Sequence, residues 1–241
     1  NNFILIDHKS ADDDWRVHLN GATGTFEKVA VAKTWYHVAV TRSGTDLKFF
    51  LDGQQIGSTL TNSSNVQSDT NPFTIGADTV DSRFWNGYID EFRVVKGTAV
   101  YTSNFTVPTT RLTAITNTKL LIHSNRTDEG NTTFDDSSTS DHTITATGSI
   151  HSKLHGGIAP AMTWPASGKR FGSAGLHFGG SGHYLELTLT NAIAASSAFT
   201  FECWFNFPNN CTGHFWDWRT SDSGNGGWIQ LGSNNMSFKI Y

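Results

Sequence analysis

With 241 residues the chain can bury a core of its own, as one large β-sandwich or as two small domains, and a net charge of −4 leaves no basic field for binding nucleic acid. Hydrophobic residues make up 37% and charged residues 16%, with 23 glycines and only five prolines, which excludes a disordered or collagen-like chain. No apolar run is long enough to span a bilayer, so no membrane insertion is expected.

The first residues, Asn1-Asn-Phe-Ile-Leu-Ile-Asp7, carry neither an initiator Met nor a cleavable leader pattern, and a longer parent polypeptide is expected. Phe3 to Ile6 reads as a short strand running into an acidic loop that ends at Asp14. Trp15, Val17 and Leu19 then alternate on one face of a second strand. Asn20-Gly21 predicts a hairpin, with Thr25 to Val31 as the returning strand. Trp35 to Arg42 and Leu47 to Leu51 show apolar residues at period two, and Asp52-Gly53 predicts a type I′ turn pairing Leu47–Leu51 with Gln54–Ser58. Thr61 to Asn71 is a polar loop, Phe73-Thr-Ile starts a further strand, and Gly97 to Pro108 is an arm leading to a connector. Leu120 to His123, His142 to Ala146, Arg170 to Phe178, Gly182 to Leu187 and Phe199 to Phe205 complete the strands.

Trp35-Tyr-His-Val-Ala-Val40, Phe50-Leu-Asp-Gly53, Phe73-Thr-Ile-Gly76 and Trp85-Asn-Gly-Tyr-Ile-Asp-Glu-Phe-Arg-Val94, in that order, resemble the closing half of a laminin G-like (concanavalin A-like) domain. The arm from Gly97 to Pro108 and the run Leu112 to Leu121 resemble, more narrowly, tandem laminin G-like modules of phage and marine-virus fibre proteins. Arg170 to Phe178, Gly182 to Leu187 and Phe199 to Phe205 resemble the opening half of such a module. The resemblance implies an all-β fold, an antiparallel two-sheet jelly-roll sandwich. The expected organisation is residues 1–112 as the closing half of one module, 113–117 as connector and 118–241 as the opening half of the next.

A degenerate repeat supports a tandem array: Phe3 to Leu19 aligns with Phe215 to Leu231, and Trp15 lies 213 positions before Trp228. Each half then lacks strands and leaves an open apolar face. Flanking chain is the first-ranked source of the missing strands, with a neighbouring copy or mutual closure of the two halves as alternatives.

Paired carboxylates of a glycosidase are not evident. Asp90 and Glu91 are adjacent, so on a regular strand they point to opposite faces, and pairing with Arg93 or a loop amide is the expected role. Glu186 and Glu202 are a weak pair on separate strands. No catalytic residue is assigned, and a non-enzyme is expected. Because some laminin G-like modules hold calcium at a loop rim, Asp12, Asp13 and Asp14 are the candidate metal ligands, with a solvated acidic turn as the alternative. Trp85, Trp164, Trp216 and Trp218 lie near turn-rich stretches and are candidates for stacking on a sugar, against an ordinary strand-edge role. Cys203 and Cys211 flank a turn, and either form a disulfide or remain a core thiol and an incidental one.

The functional expectation is a non-catalytic structural or adhesion segment of an extracellular or virion fibre, with further copies of the module and cell-surface polysaccharide as partners. The alternatives are a secreted carbohydrate-binding module of a glycan-active enzyme and a filament subunit that exchanges strands between copies.

Overall fold

The computed structural model describes residues 4–9, 14–19, 22–26, 31–61, 72–78, 83–125, 132–154, 170–180, 182–188, 198–207, 213–217, 227–232 and 235–240. Among them there are strands and turns but no helix, so none is long and apolar enough to cross a membrane. Ahead of the connector lie β1 (Ile4–Lys9), β2 (Asp14–Leu19), β3 (Ala22–Phe26), β4 (Tyr36–Ser43), β5 (Asp46–Leu51), β6 (Gln54–Thr61), β7 (Phe73–Ile75), β8 (Ala77–Asp78), β9 (Arg83–Phe84) and β10 (Asn86–Lys96). After it come β11 (Thr118–Ile122), β12 (Thr145–Thr147), β13 (His151–Leu154), β14 (Ala174–Gly179), β15 (Tyr184–Leu187), β16 (Ala198–Asn206), β17 (Gly213–Asp217), β18 (Gly227–Gly232) and β19 (Asn235–Ile240).

Two large antiparallel sheets make a sandwich. One runs β12-β15-β7-β17-β18-β19-β1-β2-β3, and the other β13-β14-β10-β16-β4-β5-β6 with β11 also on β10. Both sheets combine strands from before and after the connector. β10, from the first segment, pairs with β11, β14 and β16 of the second, and β7 sits between β15 and β17. Within the described residues each segment thus adds strands to the sheets of the other, which is the mutual closure named among the alternatives. The repeat is visible as two neighbouring meanders, β17-β18-β19 and β1-β2-β3, joined where Ile4 pairs with Ile240.

Side-chain alternation explains the core. Tyr36, Val38 and Val40 of β4, Leu47, Phe49 and Leu51 of β5, and Phe199, Phe201, Cys203 and Phe205 of β16 all join one inter-sheet cluster. Phe73, Ile75, Phe215 and Trp216 join it from the facing sheet. Each such aromatic contributes about 1.5–3 kcal/mol by leaving water. The expected Asp52-Gly53 turn forms with φ of 49° and 74°, the left-handed pair that a type I′ turn requires, and Leu51 pairs with Gln54. Gly76, at φ 85°, ends the Phe-Thr-Ile-Gly run for a packing reason: a Cβ there would lie 2.2 Å from the Phe178 ring.

Candidate functional site

The outer face of the second sheet is unusual because it is polar and yet buried. In β4 and β16 the residues between the core positions, His37, Ala39 and Thr41 and Thr200, Glu202 and Trp204, point away from the other sheet. Such positions normally meet solvent. Here the segment Gly97–Pro108 lies across them as a strap. The backbone amide of Val100 donates to Thr200 Oγ1 at 2.8 Å, Thr41 Oγ1 donates to the Tyr101 carbonyl at 2.7 Å, and Phe105 N donates to the Gly53 carbonyl at 2.9 Å. Tyr101 and Phe105 stack with ring centroids 3.6 Å apart, and Phe105 meets Phe50 and His37 edge-on.

Beneath the strap, Glu202 is fully buried and takes three side-chain donors: Arg93 Nε at 2.8 Å, the Tyr101 hydroxyl at 2.8 Å and His37 Nε2 at 3.1 Å. Burial alone pushes its pKa up, but the His37 hydrogen bond and the Arg93 charge outweigh that and hold the carboxyl below its ordinary range. Burial and the Glu202 carboxylate push the Tyr101 phenol well up, so it stays protonated and donates.

The Asp-Glu pair next door corrects the sequence expectation. β10 slips against β16 between Asp90, opposite Trp204, and Arg93, opposite Glu202, so two β10 residues face one β16 residue. Glu91 takes the extra position at φ 52°. Ile89 and Phe92 both enter the core, and the two carboxylates between them both turn to the outer face. Asp90 accepts from the amides of Glu91, Arg170 and Phe171 at 2.9, 2.7 and 3.0 Å, the loop-amide role expected for it. Desolvation raises its pKa well above normal, the neighbouring Glu91 charge adding to the effect and the three amides opposing it. Glu91 accepts from Leu112 N at 2.7 Å and His123 Nδ1 at 2.9 Å. Arg93 pairs with neither of them, but with Glu202 and the Thr113 carbonyl.

Glu91 abuts a small polar pocket of about 80 Å³, lined by Arg111, His123, Ser124, Asn125, Phe134, Asp135 and Ser137. Arg111 Nε is 3.7 Å from Glu91 Oε1, and its side chain is 47% exposed. Glu91 Oε1, Ser124 Oγ and Asn125 Nδ2 are buried without a hydrogen-bond partner. Behind the pocket, Asp136 accepts from Leu121 N, Ser138 N, Ser138 Oγ, His142 N and His142 Nδ1 at 2.7–3.0 Å, which fixes the Phe134–Ser138 turn.

The residues singled out from sequence fare differently. Trp85 and Trp216 are wholly buried, Trp85 4.4 Å from Phe215 and Trp216 5.3 Å from Phe92, so neither stacks on a sugar. The turn-rich sequence around them does not reveal that the opposite sheet covers both. Trp164 and Trp218 lie outside the described residues. So do Asp12 and Asp13, while Asp14 opens β2. Cys203 is a free buried core thiol, as in the second of the two alternatives read from the sequence; Cys211 lies outside the described residues. Trp204 is buried, but on the outer face, under Arg170 at 4.3 Å and Phe171 at 5.7 Å. Glu186 and Glu202 stand in opposite sheets and form no pair. Among the described residues no group of three or more His, Cys, Asp or Glu is arranged to hold a metal. Of the pocket residues only His123 falls on an expected strand, at the end of Leu120 to His123; the others lie between the expected strands.

A two-sheet antiparallel sandwich of this kind is a concanavalin A-like fold. Residues 1–99 match the Laminin_G_3 family model, described as the concanavalin A-like lectin/glucanases superfamily. No curated protein and no solved structure matches the chain. The matched stretch supplies His37, Asp90, Glu91, Arg93 and the first three residues of the strap, whereas Glu202, the rest of the strap and the pocket lining lie beyond it.

Proposed function

We propose that the chain is a non-catalytic structural or adhesion segment of an extracellular or virion fibre, built from laminin G-like modules and making contact with cell-surface glycans. The observation that carries this reading is the state of the acidic side chains on the outer sheet face. Asp90, Glu91 and Glu202 are all buried beneath covering segments and bound by amides, His, Tyr or Arg. A glycosidase needs one carboxyl to protonate a leaving group and another to attack or activate water, both open to substrate. Laminin G-like modules are typically binding modules, and the match over residues 1–99 agrees with that role. The strand-exchange alternative loses its motive, because each segment completes the other within the chain.

Binding and turnover are tested together, by printing the 241-residue chain against a glycan array and assaying the bound glycans for new reducing ends. Retention without hydrolysis is expected. Release of reducing ends would return the protein to the enzymes, and failure to retain any glycan would leave a purely structural role.

A further inference from the structure

We propose that the pocket beside Glu91 is the glycan contact, taking a vicinal pair of hydroxyls from a neutral saccharide; this rests on the adhesion reading above. Two non-glycine residues that flank it hold left-handed backbone conformations, Glu91 at φ 52° and Ser124 at φ 55°. Such a conformation is unfavourable for any residue but glycine and persists only where the surroundings impose it. Three buried polar atoms, Glu91 Oε1, Ser124 Oγ and Asn125 Nδ2, also go without a hydrogen bond in the same small region, Glu91 Oε1 having only the 3.7 Å approach of Arg111. Strain and unmet hydrogen bonding in one place are what a binding site shows before its ligand arrives.

The lining chemistry selects the ligand. Arg111 and the Asn125 amide donate, Asp135 accepts, and the Ser124 and Ser137 hydroxyls do either. An anion would meet the Asp135 carboxylate in the wall, with the buried Glu91 charge close behind it. A bare cation would meet the Arg111 guanidinium, and no set of three metal-binding side chains is assembled among the described residues. A neutral group that both donates and accepts suits every wall, and adjacent hydroxyls are that group. The volume of about 80 Å³ holds several waters or the diol edge of a pyranose, with the remainder of the sugar outside, over the exposed Asp135 and Ser137. Phe134 gives the pocket an apolar wall for ring C–H groups.

The parts are held unequally. His123 is tied to Glu91 at 2.9 Å, Asn125 Oδ1 accepts from Ser173 N at 2.9 Å, and the Asp136 turn fixes Phe134 and Asp135. Arg111 alone makes only a loose 3.7 Å approach and is half exposed, so it is the group that moves onto a bound hydroxyl.

The test is a titration of the isotope-labelled full chain with the neutral methyl glycosides of glucose, galactose and mannose and with the best array glycan, followed by amide shifts. Shift changes concentrated at Arg111, His123 to Asn125 and Phe134 to Ser137 are expected, with affinity reduced about tenfold or more in R111M and D135A. Melting temperatures of both variants should stay near that of the parent, since both side chains are substantially exposed. Glycan binding with shifts elsewhere and unchanged affinity in both variants overturns the pocket and leaves the adhesion reading intact. Saturation by calcium or sulfate at these amides, with no response to any glycoside, overturns the neutral-diol assignment. If neither glycosides nor array glycans bind at all, the glycan reading fails and takes the pocket with it.

Discussion

Glu202 shows most directly how a single residue organises the outer sheet face. It is sealed from water, and three donors from three different segments, His37, Arg93 and Tyr101, converge on it. Removing its charge in Glu202→Gln leaves Arg93 buried beside a neutral amide, and a loss of about 3–5 kcal/mol is expected in urea unfolding. The pH dependence has a definite sign. A carboxyl whose folded pKa lies below its unfolded value contributes stability above the ordinary carboxylate range, and that stability disappears as pH falls through the folded pKa. Asp136 has the same sign, because hydrogen bonds from His142, Ser138 and Leu121 outweigh its desolvation. Asp90, raised by burial, has the opposite sign and offsets part of the acid loss. The stability gap between wild type and E202Q should therefore narrow as pH falls through and below the ordinary carboxylate range. A gap that stays constant across that range would mean the carboxylate is not held charged by its neighbours. None of this was legible in the sequence, where Glu202 is one acidic residue in an aromatic strand and its partners stand 101 to 165 positions away.

Among the elements, the hairpin at Asp52-Gly53 and the strap depend on each other. The hairpin was legible because its turn chemistry is local: Asp-Gly between two alternating runs admits few conformations. The strap was not. Gly97 to Pro108 has no periodicity, and its place is set by backbone and hydroxyl contacts with strands far away in the chain. Gly53 meets both constraints, since its φ of 74° suits the turn and a Cβ would lie 2.1 Å from the Phe105 carbonyl. Gly53→Ala is accordingly expected to cost more than the roughly 1 kcal/mol of a simple left-handed alanine, because the strap must also lift. Amide exchange should speed up across 100–106 in this variant, not only in the hairpin. Tyr101→Phe tests the strap from its other side: losing the hydroxyl donor to a buried carboxylate should cost about 1–3 kcal/mol and leave the hairpin unchanged. The bulge at Glu91 hides from sequence for a related reason. The only trace of it in Tyr88-Ile-Asp-Glu-Phe-Arg93 is that Ile89 and Phe92 stand three apart rather than two, and the register against β16 is what turns both carboxylates outward.

In the whole molecule, the boundary at residues 113–117 divides the chain in sequence without dividing it in space. Phe92 and Val94 from one side, and Phe199, Phe201 and Phe205 from the other, enter one core, and β10 alone carries three partners from beyond the boundary. Neither segment has a closed apolar face of its own, so neither should fold alone. Expressed separately, residues 1–112 and 118–241 are expected to be unfolded or aggregated, and mixed from denaturant they should reassemble into a complex with the parent's far-ultraviolet spectrum. Association is favoured because pairing β10 with β16 and closing the sandwich buries the aromatic cluster that each piece would otherwise expose. Cleavage at a protease site engineered beside the exposed Ile115 should likewise leave the two pieces bound together under native conditions. An independently folded 1–112 fragment would mean that its strands can find partners without the second segment, and that the interleaved sandwich is one of two ways this chain closes its sheets.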